Sequence, residues 1–245
     1  MTRHHPLRVR AILTSSVPWL LGAITGSVGS AQAPPLSVPE LRPSAFRGGP
    51  IDNPFFPLRP GTVYVYRLHE DEGTALDTIT VTRDTKRIAG VTAVVVHDRL
   101  SRSGQIVEDT YDWYAQDTTG VVWYLGEDTK AYKQGKVAST VGSWEAGVAG
   151  AKAGIVMQAR LRIGDAYRQE YRPGVAEDMV RVVRVNDSLT VAAGHFTGCV
   201  TTEDWPPLEP GVREHKTYCR GVGLVRERAV AGGKEWSELV EVKPR

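Results

Sequence analysis

The sequence contains few of the residues that build catalytic or metal centres. It has two cysteines and six histidines among 245 residues, and His4 and His5 lie at its very start. It has no spaced motif of a nucleotide-binding loop, a serine hydrolase, a zinc peptidase or a redox dithiol. These motif-defined enzyme classes are therefore excluded, and a zinc site would need ligands from separate strands.

The sequence also lacks an excess of one charge sign. It has 30 basic and 28 acidic residues, and its first 31 residues contain Arg3, Arg8 and Arg10 but no acid. Without that segment, 27 basic residues stand against 28 acidic ones. A nearly neutral chain has no positive surface for nucleic acid or anionic lipid, so we set nucleic-acid binding aside.

The N-terminus has the parts of an export signal. A basic start, MTRHHPLRVR, precedes an apolar run that ends in small residues before Gln32. Polar residues and a proline interrupt the run, which makes it too short and polar for a comfortable membrane span. We predict that residues 1–31 are a signal peptide and that the mature chain is periplasmic or extracellular, without a membrane span. The alternative is an uncleaved anchor.

Proline is concentrated just after this leader. Eight of the 15 prolines lie at positions 34, 35, 39, 43, 50, 54, 57 and 60. Because proline fixes φ and has no amide hydrogen, residues 32–50 are predicted to be a disordered tether. Residues 51–245 have the length of one domain, and Phe55, Phe56 and Leu58 are predicted to cover one end of its core.

Helical periodicity is missing from the predicted domain. Twelve short segments, among them TVYVYRLH (62–69), DMVRVVRVND (178–187) and EWSELVEV (235–242), instead alternate with period two and are rich in β-branched and aromatic residues. Glycine, Asp-Thr and Pro-Gly turns separate them. This pattern predicts an all-β, antiparallel single domain that forms a closed or partly open barrel or a strongly curled sheet.

Two cysteines in an exported chain favour a disulfide between Cys199 and Cys219. If PPLEPGV (206–212) turns a hairpin, this pairing places Glu203 opposite His215 on the same sheet face. Glu203 beside His215 would be either a general base with its orienting partner or a simple cross-strand ion pair.

Aromatic and acidic residues alternate in a second predicted hairpin at 108–128. With DTTG (117–120) as a four-residue loop, Tyr114 pairs with Trp123, and Asp112 and Glu127 share a face one diagonal step apart. Rings that stack and carboxylates that accept hydrogen bonds suit a sugar or a cationic ligand. The alternative is a barrel wall in which aromatic pairs only stabilise the hairpin.

The glycine-rich segment GSWEAG (142–147) adds Trp144 and Glu145 as loop residues. With Asp112 or Glu127, Glu145 would form the carboxyl pair of a glycan-cleaving enzyme. The candidate ligand-binding residues are thus Asp112, Tyr114, Trp123, Glu127, Trp144, Glu145, Glu203 and His215. No cofactor is identified, and a divalent cation remains open.

Several motifs in fixed order resemble a family of exported bacterial proteins without an established activity. They are NPFFPLRPGTVYVY, DTYDWYAQDTTG, GSWEAG, LEPGVREHKTY and GVGLV, spread over about residues 51–228. The ending TYCRGVGLVRER is also similar to the closing strands of periplasmic open-barrel proteins that hold lipids or bind partners. The family resemblance implies an exported single-domain protein and supplies no catalytic residues.

Three functions remain open from sequence. The preferred hypothesis is a β-barrel-like protein whose acidic-aromatic cavity binds a polar small ligand, a glycan or a divalent cation. The second is a glycan- or polymer-cleaving enzyme that uses a carboxylate or His215 as general base. The third is a structural or envelope-interaction protein. Convergence of Asp112, Glu127, Glu145 and His215 in one cavity would favour the first two, and scatter over the surface would favour the third.

Overall fold

A computed structural model describes residues 36–71 and 73–244. The predicted signal peptide lies outside the described residues. The described residues contain one short 3-10 helix, Pro43–Ala45, and fifteen strands. The strands are β1 (Val63–Glu70), β2 (Gly73–Ile88), β3 (Val91–Arg102), β4 (Gln105–Gln116), β5 (Val122–Lys133), β6 (Lys136–Ser139), β7 (Trp144–Glu145), β8 (Lys152–Met157), β9 (Ala166–Arg168), β10 (Glu170–Tyr171), β11 (Met179–Val191), β12 (Gly194–Trp205), β13 (Arg213–Cys219), β14 (Gly223–Ala231) and β15 (Trp236–Lys243).

All strands belong to one antiparallel sheet. Their order is β10-β8-β5-β4-β3-β2-β1-β15-β14-β13-β12-β11-β9, and β6 and β7 also pair with β5. The prediction of an all-β, antiparallel protein is confirmed. A closed barrel, one of the predicted forms, is not formed, because this order has two ends. The end strands β9 and β10 are nevertheless successive segments of the chain, with Gln169 between them.

Strand alternation sorts side chains onto a buried inner face and a more exposed outer face. On β3, Val94, Val96 and Asp98 lie on the inner face, whereas His97 lies on the outer face. Because neighbouring strands keep this alternation in register, the inner faces combine into one core. Phe56 of the proline-rich entry belongs to that core, and its ring lies 5.3 Å from the ring of Tyr114.

Part of the predicted tether contacts the sheet. Phe46 forms a β-bridge with Asp117, and the Thr118 amide donates a hydrogen bond to the Ala45 carbonyl at 2.8 Å. The Phe46 ring meets the ring of Trp123 edge-on at 5.9 Å. Residues 45 and 46 therefore lie against the turn between β4 and β5.

The predicted disulfide and its strand register are confirmed. Cys199 and Cys219 are bonded, with their Cα atoms 4.1 Å apart, and Glu203 pairs with His215 in the β12–β13 ladder. Because disulfides persist in oxidising compartments, this bond is consistent with an extracytoplasmic location and with the expected export. No helix among the described residues has the length and apolar character needed to cross a membrane.

Replacement of both cysteines by serine is expected to lower the free energy of unfolding. The bond closes a segment with a sequence separation of 20 residues. On the chain-entropy model, a loop of that size corresponds to about 3 kcal/mol. Urea unfolding of the double variant measures the loss, and reduced wild-type protein serves as the control. Thiol labelling of the native, unreduced protein would contradict the bond.

Candidate functional site

The register of the β4–β5 hairpin differs from the predicted one. Tyr114 pairs with Tyr124, not with Trp123, and Asp112 pairs directly with Glu127. One cause is Asp117, whose carboxylate accepts hydrogen bonds from the Thr119 and Val121 amides and so widens the turn. The other cause is a bulge in the ladder between the Trp113 and Tyr114 pairs. The two shifts keep Asp112 and Glu127 on one face, as predicted.

This face is buried and aromatic. Tyr124 donates a hydrogen bond to Asp112 Oδ1 at 2.7 Å, and its ring stacks on Tyr114 at 4.8 Å. The Trp144 ring meets Tyr124 edge-on at 5.2 Å. Asp112 is completely buried, and Glu127 is 3% exposed. The structure thus brings together four predicted site residues: Asp112, Tyr114, Glu127 and Trp144.

Trp123 does not join them. Its indole nitrogen donates to Asp117 Oδ2 at 2.9 Å, and its strand partner Ala115 lies on the opposite face from Tyr114. The predicted aromatic floor of Tyr114 and Trp123 is therefore wrong. Tyr124 takes the place of Trp123, because the wider turn moves β5 by one residue.

Further carboxyls are buried within the sheet, and those that concern this face are Asp77, Asp98, Glu108 and Glu170. Asp98 and Glu108 share the inner face of β3 and β4 with Asp112, since each is opposite an inner-face residue of the neighbouring strand. Sequence reasoning missed them because an alternating strand does not reveal which of its faces is buried. The periodic spacing of Glu108 and Asp112 on β4 was the one available signal.

Burial raises the pKa of these carboxyls. It raises the pKa of Asp112 to about 7 and that of Glu108 to about 8, and nearby carboxylates add to the increase. Burial also raises the pKa of Glu127 well above its ordinary value, and the negative charges of Glu170 and Asp112 act in the same direction. Burial therefore favours the protonated form of these three carboxyls at pH values where exposed carboxyls are ionised.

Asp77 and Asp98 lie close enough to share a proton. Burial raises the pKa of both, and their mutual hydrogen bond raises the pKa of Asp98 while it lowers that of Asp77. Asp98 thus acts as the protonated partner. Two carboxyls on neighbouring strands are stable in this arrangement because only one of them needs to ionise.

Several inner polar atoms have no hydrogen-bond partner within the described part of the chain. They include the Tyr114 hydroxyl and Asp112 Oδ2. The Tyr114 hydroxyl lies near Asp112 beyond hydrogen-bond distance, and it still lowers the pKa of that carboxyl. Such buried groups are unusual in folded proteins, where most polar atoms are paired. The interior therefore has unused hydrogen-bonding capacity.

A cleft of about 360 Å³ leads from the outer surface to Glu127. It lies where β5 changes partners, since β5 pairs successively with β8, β7 and β6. Its walls include Lys86, Trp113, Glu127, Asp128, Trp144 and Glu145. Three of the predicted site residues, Glu127, Trp144 and Glu145, thus share this cleft.

Gly126 makes the cleft possible. A Cβ atom at this position would overlap the Trp144 carbonyl oxygen and would lie 2.9 Å from the Glu145 Cα atom. Its φ of +133° is also a conformation that L side chains rarely adopt. The glycine therefore lets β7 approach β5, with Trp144 opposite Glu127 and Glu145 opposite Gly126.

The charges in the cleft are partly paired. Lys86 Nζ lies 2.7 Å from Glu145 Oε2 and 3.3 Å from the centre of the Trp113 ring. Arg172 also lines the cleft and donates to the Ser143 carbonyl. The cleft therefore combines aromatic walls, hydrogen-bond donors and carboxyl acceptors without a large net charge.

Glu203 and His215 lie elsewhere, on the outer face of the sheet. His215 Nε2 is 3.6 Å from Glu203 Oε2, and Arg181 contacts the same glutamate at 2.9 Å. The pair is not brought to the inner carboxyls or to the cleft, because the neighbouring residues Thr202 and Lys216 occupy the inner face. His215 therefore does not converge with Asp112, Glu127 and Glu145. Within residues 36–71 and 73–244, no group of three or more His, Cys, Asp or Glu side chains is arranged to hold a metal ion.

Comparison with solved structures finds two similar proteins. One is a protein from Bacteroides fragilis that has a YmcC-like fold and is inferred to be exported. Its sequence is 16% identical, the match covers 77% of this chain and 98% of that chain, and the TM-score is 0.46. The other, from Parabacteroides distasonis, is an inferred lipoprotein with the same identity and coverage and a TM-score of 0.37. No family model matches the chain. No curated protein matches it either.

Proposed function

We propose that this exported protein binds a neutral, hydroxyl-rich ligand, a glycan unit, in the cleft beside β7. The observation that carries the proposal is the joint presence of Trp113, Trp144, Glu127 and Glu145 around about 360 Å³. That volume lies within the usual range for small-molecule sites. A protonated Glu127 can both donate to and accept from sugar hydroxyls, and Glu145 adds a second acceptor.

The same residues disfavour a divalent cation as the ligand. Lys86 and Arg172 line the cleft and would repel it. Burial raises the pKa of Glu127, so ionisation of this carboxyl for metal binding would cost free energy. A neutral ligand avoids both costs.

We further propose that the sheet forms a partly open barrel around the inner carboxyls. In support, β9 pairs with β11 at one end of the strand order, and β10 pairs with β8 at the other end. The chain passes between these ends at Gln169. Glu170 interacts electrostatically with Asp112 of β4 and with Lys216 of β13, which belong to different halves of the sheet.

A glycan-cleaving activity is the second candidate function. It is favoured by the presence in one cleft of Glu127, whose pKa is raised by burial, and Glu145, which forms an ion pair with Lys86. Glycosidases use such a division between an acid and a carboxylate. The release of reducing sugar from each glycan that binds tests this activity.

Glu145→Gln is expected to weaken glycan binding about tenfold, because the loss of a charged acceptor weakens hydrogen bonds to the ligand. Calorimetry and tryptophan fluorescence would follow titration with oligomers of three neutral sugars: glucose, N-acetylglucosamine and mannose. Trp113 and Trp144 are the expected reporters, since both line the cleft.

Glu203→Gln is the matched control, because it makes the same change on the outer face beside Arg181. Its affinity is expected to equal that of the wild type. The proposal fails when none of the three glycan classes binds, or when both variants weaken binding equally.

A further inference from the structure

We infer that the glycan surface continues from the cleft along the outer face of β4 through Tyr111 and His97, so that the ligand is a chain of sugar units. This inference rests on the proposed function and specifies its ligand. It begins from the position of Tyr111, which was not among the residues predicted from sequence.

Tyr111 adjoins the cleft. It lies two residues before Trp113 on the same face of β4, a spacing of about 7 Å along a strand. Its partner across the ladder is Asp128, and both Trp113 and Asp128 line the cleft. A ligand that fills the cleft and extends along β4 therefore meets Tyr111 next.

The Tyr111 ring is held as a flat and accessible surface. It stacks on His97 of β3 with the ring centres 4.3 Å apart and the planes 2° apart. His97 Nε2 is in turn 3.1 Å from Asp109 Oδ1, which fixes the imidazole. Tyr111 is still 36% exposed, so its ring is ordered by these contacts without being covered. An ordered ring of this kind binds a sugar face with little loss of side-chain entropy.

The polar groups around Tyr111 suit hydroxyls. Asp128 and Lys130 form an ion pair of 2.9 Å on the adjoining strand, and Asp109 lies opposite Lys130. The surface thus offers donors and acceptors of both charges beside an aromatic ring. A uniformly charged polymer would meet repulsion from one part of this set, whereas a hydroxyl-rich chain would not.

A second stacked pair elsewhere on the sheet provides a matched comparison. Trp236 of β15 stacks on His69 of β1, with ring centres 3.8 Å apart and planes 5° apart. This pair lies on strands that do not border the cleft. It has the same chemistry as Tyr111 and His97 without the adjoining pocket.

Affinity should therefore increase with the length of the oligomer. The test is to titrate wild-type protein, Tyr111→Leu and Trp236→Leu with one to six units of the glycan class that binds in the cleft. Wild type and Trp236→Leu should bind longer oligomers more tightly. Tyr111→Leu should bind one unit normally and lose about 3- to 10-fold in affinity for the longest oligomer. Normal binding of one unit also shows that the variant is folded.

Different failures have different meanings. When single units bind but wild-type affinity is independent of length, the extended surface is refuted and the cleft proposal stands. Equal losses in Tyr111→Leu and Trp236→Leu also refute it. When no length of any of the three glycan classes binds wild-type protein, both proposals fall.

Discussion

The free energy of unfolding is expected to fall as the pH rises from 5 to 8, and Asp112→Asn is expected to flatten this decline. Most proteins behave differently, because their paired carboxylates gain stability as they ionise. Here burial raises the pKa of Asp112 to about 7 and that of Glu108 to about 8 in the folded protein. An unfolded chain releases the same protons near pH 4.

The sign follows from the protons bound in each state. Between the unfolded and the folded pKa values, the folded protein holds more protons than the unfolded chain. Stability from these groups is therefore complete at acidic pH and is lost as the pH rises, at about 1.4 kcal/mol per pH unit for each group. Burial also raises the pKa of Asp98, Glu127 and Glu170, which extends the decline to higher pH.

Asp112→Asn imitates the protonated side chain. Its amide oxygen can accept the hydrogen bond that Tyr124 donates to Asp112 Oδ1. The variant cannot ionise, so one proton is removed from the pH dependence. At pH 8 it should be more stable than the wild type, and near pH 4 it should have no such advantage.

Urea unfolding between pH 4 and pH 9 measures the slopes. Asp84→Asn is the control, because this exposed aspartate lies outside the core and should leave the slope unchanged. A wild-type stability that rises from pH 5 to pH 8 would contradict the proposed protonation of the interior. So would an Asp112→Asn slope equal to that of the wild type.

The parts of the fold that depend on local pattern were predictable. Period-two alternation predicted the strands, and the spacing of Cys199 and Cys219 predicted the β12–β13 register. This spacing sufficed because a disulfide fixes two residues opposite each other, and every other pair then follows.

The β4–β5 hairpin had no such constraint. Its register depends on the hydrogen bonds of Asp117 and on the bulge near Gly126, and neither follows from alternation alone. The glycine inside the apolar run of β5 was the available signal, because an isolated glycine in a strand often marks a bulge or a close approach. The approach of β7 at Gly126 is what places Trp144 beside Glu127.

The inner position of Glu170 was beyond prediction for a different reason. It lies in a two-residue strand that pairs with β8, distant in sequence from the other inner carboxyls. Only the path of the chain through Gln169 brings it to them. The sequence pattern indicates which residues share a strand face. The position of Glu170 beside the other inner carboxyls depends instead on how the two ends of the sheet are arranged.

Gly154→Ala is expected to lower the free energy of unfolding by about 3 kcal/mol, the upper part of the usual range for overpacking. A Cβ atom on Gly154 would overlap the carbonyl group of Gln169 and would lie 2.8 Å from the carbonyl oxygen of Arg168. Both obstacles are backbone atoms, so no side-chain rotation removes the clash. The strand β8 must then move away from residues 168–170.

Gly233→Ala is the matched control for this change. A Cβ atom on Gly233 would clash only with the Glu235 carboxylate, where it would lie 2.6 Å from Oε1 and 2.7 Å from Cδ. That carboxylate is the flexible end of a side chain and can rotate away. Neither glycine needs a positive φ, so backbone strain does not separate the two variants. Urea unfolding should therefore show a large loss for Gly154→Ala and a small one for Gly233→Ala.

Hydrogen exchange locates the effect of Gly154→Ala. Because Glu170 pairs with Ala153 of β8, displacement of β8 should increase exchange at residues 152–154 and 170–171 before the rest of the sheet opens. Glu170 would then gain water, and the part of the alkaline loss of stability that comes from its burial would shrink with it. Equal stability of the two alanine variants, or exchange that increases uniformly over the sheet, would show that the close approach of β8 to Gln169 does not hold the ends of the sheet together.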